Sequence, residues 1–369
     1  MSIKAAVVLG TRPEAIKLAP VILAMQRDQV FSCRLIATGQ HREMLDEVLR
    51  LFDLHPDYDL HVMRPDQSLF DVTSRVLLGL QPILEREAPQ VVLVQGDTTS
   101  AFAGALAAFY LRIPVAHVEA GLRTADKYRP FPEEINRRMI SLLADWHFAP
   151  TEWAQNNLLR EGISSERVFV TGNTIVDALF EILQRPSPPL PEPIARLTGR
   201  ERLVLVTAHR RENWGEPLRR ICRALRALVD AFQDVVILFA VHLHPRVQRV
   251  VHEELEGIPR IFLLGPVPYE VFVHILARSV LILTDSGGIQ EEACSLGKPA
   301  LVLREVTERP EGVEAGILHL VGTKSEHIVA EASRLLRNVQ ADQRTAWRPS
   351  PYGDGHAAER ILRILRERL

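Results

Sequence analysis

Short apolar runs recur along this chain in which neighbouring residues, not alternate ones, are apolar; VVLV at Val91–Val94 is the clearest. A strand of that kind is buried on both faces, the condition of a parallel sheet covered by helices on each side. Comparable runs place strands at Ala5–Leu9, Cys33–Thr38, Val91–Gln95, Pro114–Val118, Trp146–Ala149 and Val168–Thr171. Amphipathic stretches separate them, among them Ala15–Arg27, Glu43–Leu51, Leu69–Glu87, Ser100–Leu111 and Glu134–Leu143. That alternation predicts a βα array.

The rhythm breaks at PSPPLPEP, Pro186–Pro193, too rich in proline for a helix interior or a central strand, and reads as a linker. It restarts with strands expected at Leu203–Thr207, Val235–Ala240, Ile261–Leu264, Val280–Leu283 and Ala300–Leu303. A length of 369 residues suits two domains. The expected fold is therefore α/β, two doubly wound Rossmann-like domains facing across a cleft, residues 1–185 and 186–355. A last amphipathic helix at His356–Leu369 packs on one of them. A formal net charge of −2 gives no reason to expect nucleic acid or an anionic membrane as partner. Three scattered cysteines, Cys33, Cys222 and Cys294, form neither a disulfide framework nor a zinc pattern and fit a reducing cytoplasm. The first apolar run meets Gly-Thr-Arg-Pro too early for a signal peptide, and no stretch is long and apolar enough to span a bilayer.

Ligands of open parallel sheets sit beyond the carboxyl ends of the strands, so the residues that follow each strand matter most. After Val280–Leu283 comes TDSGGIQEE. Gly287 and Gly288 clear space at a helix start whose N–H groups attract an anion, and Ser286 adds a hydroxyl. Glu291 and Glu292, a turn later, suit ribose hydroxyls or simply complement the dipole. In VVLGTRPEAIK, Arg12 and Lys17 put two cations beside another helix start, and the single glycine argues against a dinucleotide fingerprint. Asp97 follows VVLVQ and either caps the next helix or reaches a substrate. Glu119, after PVAHV, has a weaker capping excuse. If the two strands are neighbours, their ends lie about 5 Å apart, and close carboxylates raise one another's pKa. RPFPEEINRR offers Glu133 and Glu134 at a helix start, as dipole partners or as a third carboxylate. His209, Arg210 and Arg211 form a basic group after the first strand of the second half. His242 and His244 share a strand face, but two ligands without Cys or Asp partners do not make a metal site, and none is expected. Glu308 and Arg309 lie in a loop expected near Ser286. Together the cations and glycines suit a nucleoside diphosphate, and Asp97, Glu119 and Glu133 suit proton chemistry on what it carries.

GTRPEAIKLAP, GQHREMLD, GDTTS, HVEAGLRT, PEEINRR, TGNT, HRREN, TDSGGIQEE, SLGKP, TERPE and PYGDG, in this order over essentially the whole chain, resemble the bacterial non-hydrolysing UDP-N-acetylglucosamine 2-epimerases. The resemblance implies a glycosyltransferase-B-like fold, a C-terminal helix returning to the N-terminal domain and a homodimer. It implies interconversion of UDP-N-acetylglucosamine and UDP-N-acetylmannosamine by elimination of UDP to 2-acetamidoglucal and re-addition, with no redox cofactor. By the same resemblance Asp97, Glu119 and Glu133 are acid/base residues and His209 assists at the diphosphate. Ser286, Gly287 and Gly288 hold phosphate, Glu292 the ribose, and Arg12, Lys17 and Arg309 other parts of UDP. Gln40, Arg210 and His242 would line a regulatory site for a second UDP-N-acetylglucosamine. His244 and Cys294 depart from the Asn and Pro frequent in relatives. The rival readings are a retaining UDP-sugar glycosyltransferase, a hydrolysing epimerase and a non-catalytic UDP-sugar sensor. Three carboxylates in the first half weigh against the first and the last.

Overall fold

The computed structural model describes residues 2–39, 42–64, 67–124, 126–197, 199–341 and 350–369. The chain divides into two compact units, residues 1–180 with 352–369 and residues 181–351.

Unit 1 holds a seven-stranded parallel sheet: β1 (Ile3–Leu9), β2 (Phe31–Ala37), β3 (Tyr58–Asp59), β4 (Val91–Gln95), β5 (Val115–Val118), β6 (Trp146–Ala149) and β7 (Val168–Val170). Its strand order is β3-β2-β1-β4-β5-β6-β7. Among the described residues the helices up to its boundary are, in chain order, α1 (Arg12–Arg27), α2 (Arg42–Leu51), α3 (Leu69–Glu87), α4 (Thr99–Tyr110), α5 (Glu133–Leu143), α6 (Glu152–Arg160) and α7 (Thr174–Leu183). Small residues let α4 lie close to the sheet. Ala101, Ala105 and Ala108 are fully buried, and a Cβ on Gly104 would sit 3.2 Å from both Val8 and Val94. A larger side chain there would push the helix off the strands whose ends carry Asp97 and Gly10.

Unit 2 holds a six-stranded parallel sheet: β8 (Arg202–Ala208), β9 (Val235–Val241), β10 (Ile261–Leu264), β11 (Leu281–Thr284), β12 (Ala300–Val302) and β13 (Leu318–Leu320), ordered β10-β9-β8-β11-β12-β13. Its helices are α8 (Glu192–Ala195), α9 (Glu216–Ala231), α10 (Pro245–Leu255), α11 (Tyr269–Arg278), α12 (Gly287–Ser295), α13 (Pro310–Glu314) and α14 (Ser325–Ala341). On α9, Leu218, Ile221, Cys222, Leu225, Leu228 and Val229 recur at helical spacing and bury one face. Two parallel sheets with interleaved helices are what the apolar runs predict. Sequence reading missed β3 and β13, whose two and three residues are too short to carry a period. The proline-rich stretch ends inside α8, where Pro193 fits the first turn of a short helix. No helix among the described residues is long and apolar enough to cross a membrane.

The last helix, α15 (Ala357–Arg368), belongs to unit 1 and packs on α1. Ile361, Leu362 and Leu365 are buried. Apolar burial of that kind stabilises by about 1.5–3 kcal/mol per side chain. Its open N-terminus is closed by Asp177 of α7, whose carboxylate accepts the Ala358 N–H at 2.8 Å. One such cap contributes about 1 kcal/mol, less than the buried face does. Asp177→Ala should therefore fray the first turn without releasing the helix. Hydrogen exchange should show amides of residues 357–360 opening about five- to tenfold more often, with protection at Leu362 and Leu365 kept. Loss of protection along the whole helix would show that the cap dominates.

Candidate functional site

Polar groups gather where β1, β4 and β5 of unit 1 end. These strands are direct neighbours. After β4 the chain turns at Gly96, φ +69°, and its carbonyl meets His117 Nε2 at 2.7 Å. Burial pushes the His117 imidazole down to about 4, so the ring is neutral and Nε2–H donates. The capping role expected as an option for Asp97 falls to Thr98, whose hydroxyl accepts the Ala101 N–H at 3.0 Å. That leaves the Asp97 carboxylate for Arg137 of α5, at 2.6 Å. Asn136, one residue before, donates to the Asp97 carbonyl at 3.0 Å. Burial raises the Asp97 pKa. Arg137 opposes that, and the nearby Glu119 charge adds to it.

Glu119, directly after β5, takes a left-handed backbone, φ +63°, uncommon for a residue with a Cβ. Lys17 Nζ of α1 and Gln95 Nε2 at the end of β4 both donate to its carboxylate. Asn173 Nδ2 donates as well, at 3.0 Å. Lys17 is thus brought to a carboxylate rather than left beside the helix start with Arg12, which opens α1 half-buried. The adjacent pair Glu133 and Glu134 divides by environment. Glu134 is buried and accepts the Thr124 N–H at 3.0 Å and Arg138 Nε at 2.8 Å, so it ties down the preceding loop. Glu133 stands half-buried on the same first turn of α5, which also supplies Asn136 and Arg137 to Asp97.

Sequence reasoning missed four groups here. Gln95, Asn173 and Arg137 lie inside quoted motifs, but nothing in the sequence says whom they touch. The fourth, Glu14, is fully buried and accepts the Gly10 N–H at 3.1 Å and the Thr98 hydroxyl at 2.7 Å. It fastens the end of β1 to the start of α4, and burial pushes its pKa up to about 7. Gly10 is required there by space, since a Cβ would come within 2.3 Å of Thr38 Oγ1.

In unit 2 the stretch after β11 opens α12. Ser286 is its N-cap, yet the hydroxyl makes no capping bond. A Cβ on Gly287 would lie 2.6 Å from the Arg309 guanidinium carbon, whereas one on Gly288 would meet nothing within 4 Å. The first glycine therefore admits Arg309, and the second faces open space. Arg309 Nε donates to Glu291 at 2.8 Å and a terminal nitrogen donates to Glu308 at 3.1 Å. Burial works against the Glu308 charge, but Arg309 and Arg304 outweigh it and hold its pKa down at about 2. Glu292 is buried and accepts the Tyr269 hydroxyl.

The HRREN segment folds around a residue that sequence reading passed over, Asp285. This carboxylate is fully buried. It accepts the backbone N–H of His209 at 3.0 Å and of Arg210 at 2.9 Å, and Asn213 Nδ2 at 2.9 Å. His209 Nδ1 lies 3.0 Å from it. The signal was the spacing of His209, Arg210 and Asn213, which sends three donors back to one point. Arg210 Nε also donates to the Asp285 carbonyl at 3.0 Å. The His242 ring stacks near His209, centroids 6.2 Å apart. His242 Nδ1 accepts the His244 N–H at 3.1 Å, and His244 Nδ1 accepts the Arg246 N–H at 3.3 Å at the start of α10. Those imidazoles serve as backbone caps. Among the described residues no group of three or more His, Cys, Asp or Glu side chains is arranged to hold a metal. Gln40 lies outside the described residues.

The family profile described as UDP-N-acetylglucosamine 2-epimerase matches residues 23–366. The UDP-N-acetylglucosamine 2-epimerase of Yersinia pestis is 50% identical, with 98% of each chain covered. That of Escherichia coli strain K12 is 49% identical over the same shares. Among solved structures, the Neisseria meningitidis UDP-GlcNAc 2-epimerase bound to UDP-GlcNAc superposes with a TM-score of 0.92 at 44% identity, covering 99% of this chain and 100% of that one. A glycosyltransferase of kitacinnamycin, at 14% identity and a TM-score of 0.66, shares the fold alone. With a profile spanning most of its length and relatives half identical from end to end, this chain belongs to the UDP-N-acetylglucosamine 2-epimerase family.

Proposed function

We propose that this epimerase interconverts UDP-N-acetylglucosamine and UDP-N-acetylmannosamine by eliminating UDP and adding it back. The hydrogen on the sugar's second carbon is not acidic on its own. Breaking the bond from the first carbon to oxygen sends the electron pair to the phosphate and leaves an oxocarbenium-like centre that acidifies it. A carboxylate takes the proton, giving 2-acetamidoglucal and UDP. Re-addition with a proton delivered from the opposite face inverts the centre. Nothing is oxidised or reduced overall, so the chemistry needs no redox cofactor.

The observation that carries this reading is the pair of carboxylates, Asp97 and Glu119, at the ends of neighbouring strands, each held by its own cation, Arg137 and Lys17. Environments that separate two carboxylates suit one to give and the other to take a proton. Glu133 is the third acid/base candidate. The open space at Gly288, with Ser286 and the start of α12, suits the diphosphate, with His209 as its hydrogen-bond donor. Glu292 takes the ribose, and Arg12 and Arg309 other parts of UDP; Lys17 acts first as the partner of Glu119. For Arg210 and His242 we retain the regulatory contact with a second UDP-N-acetylglucosamine, since both side chains adjoin the Asp285–His209 pair.

We infer further that the chain works as a homodimer. Ile135, Met139 and Leu142 form an exposed apolar stripe on α5 at positions i, i+4 and i+7. The neighbouring α4 and α3 add Phe109, Tyr110, Phe70 and Leu78, with Phe70 at 86% and Leu142 at 79% exposure. A two-fold interface joins one patch to its own copy, and an apolar stripe is self-complementary in that way.

Two experiments test these readings. In deuterated water, proton NMR should show UDP-N-acetylglucosamine turning into UDP-N-acetylmannosamine carrying deuterium on the second carbon. Asp97→Asn and Glu119→Gln should each slow exchange about a hundredfold or more, with UDP affinity by calorimetry little changed. Wild-type exchange in either variant removes that residue from the mechanism. Separately, light scattering should give a dimer mass for the parent and a monomer mass for the double variant Leu78→Asp, Leu142→Asp. A monomeric parent, or a dimer unaffected by both charges, would rule this surface out.

A further inference from the structure

We propose that Asp285 is a positioning residue that fixes the protonation and orientation of His209. His209 Nδ1 lies 3.0 Å from a carboxylate that is itself fully buried. An ionised carboxylate only accepts hydrogen bonds, so at that contact Nδ1 must carry the proton. In a neutral imidazole the other nitrogen, Nε2, is then the bare one, and when the ring is charged Nε2 carries the donated N–H. The His209 side chain is 42% exposed. With Nδ1 turned to the buried acid, Nε2 is the nitrogen a ligand meets. Ser286, the N-cap of α12, is the residue next to Asp285 in the chain. One short segment therefore sets both the phosphate seat and the imidazole beside it.

The carboxylate is itself fixed by several donors. Burial alone would favour its neutral form, but His209, the Arg210 N–H and Asn213 donate to it and keep its pKa below the usual range. Asn213 is fixed in turn by a second bond to the Leu303 carbonyl at 3.2 Å. Around the imidazole stand Arg210, bonded to the Asp285 carbonyl, the stacked ring of His242, and Trp214, whose Nε1–H donates to the His209 carbonyl at 3.3 Å. None of these neighbours is an acceptor placed to draw the proton to Nε2. Among the described neighbours of the ring, Asp285 is the group that sets the tautomer.

The role at the diphosphate rests on the function proposed above; the tautomer does not. The test uses the full chain labelled with 15N-histidine, His209 being assigned by the signals lost in His209→Gln. At a pH where the ring is neutral, the parent should show its proton on Nδ1, and in Asp285→Asn the proton should move to Nε2. In the epimerase assay Asp285→Asn should lower kcat about a hundredfold with KM nearly unchanged. The same substitution made in His209→Gln should cost almost nothing more, because residues that act as one unit are not additive. A parent His209 protonated on Nε2 would overturn the proposal even if Asp285→Asn misfolded. So would an equal loss from Asp285→Asn with and without His209, the result expected of a purely structural residue. A parent that binds UDP but exchanges no hydrogen would instead defeat the epimerase reading and leave the tautomer result standing.

Discussion

A buried carboxylate must be paired or be protonated, because an uncompensated charge away from water costs several kcal/mol. Glu119 meets that demand with donors from three distant parts of unit 1, α1, β4 and the segment before α7. Its left-handed backbone adds a cost of about 1–3 kcal/mol that only surrounding structure can offset. The donor Asn173 is itself anchored, its N–H reaching the Tyr352 carbonyl at 2.7 Å. Gly172 and Gly353, both at positive φ, touch there, a Cβ on Gly172 lying 3.3 Å from the Gly353 Cα. The end of the chain thereby supports a carboxylate that lies more than two hundred residues earlier. The C-terminal segment of unit 1 is thus part of the support for the geometry proposed to do proton chemistry.

How much of this the sequence could tell follows from the range of each signal. Parallel strands buried on both faces leave a mark on consecutive residues, so the two sheets were legible except for β3 and β13. The carboxylates after β4 and β5 were legible because a strand's end predicts where a side chain emerges. Partners were not. Lys17 reads as a phosphate-binding cation until α1 is seen to bring it onto Glu119. Glu133 and Glu134 are indistinguishable as neighbours, and only packing makes Glu134 a tie for the loop at Thr124. Asp97 looked like a cap because an acid before a helix usually is one, and Thr98 took the role by being one residue nearer. Asp285 sat in a quoted motif, yet its importance lies in what the HRREN segment does 72 to 76 residues before it.

The charges around the anion seat proposed at α12 are already committed. Arg309 fills the place a side chain on Gly287 would take, but its guanidinium already serves Glu291 and Glu308. Arg304 is committed in the same way, to Glu212 at 2.9 Å and Glu308 at 3.2 Å. A cation so balanced offers a phosphate little net attraction. In the reading proposed above, the anion is then held by the start of the helix, with the N–H groups beyond Ser286 and the open face of Gly288, and by His209 beside it. That arrangement suits an epimerase. In the proposed mechanism UDP leaves the sugar, stays in place and returns, and a seat built from many modest hydrogen bonds would hold it through the cycle without a strong ion pair that favours only the departed state.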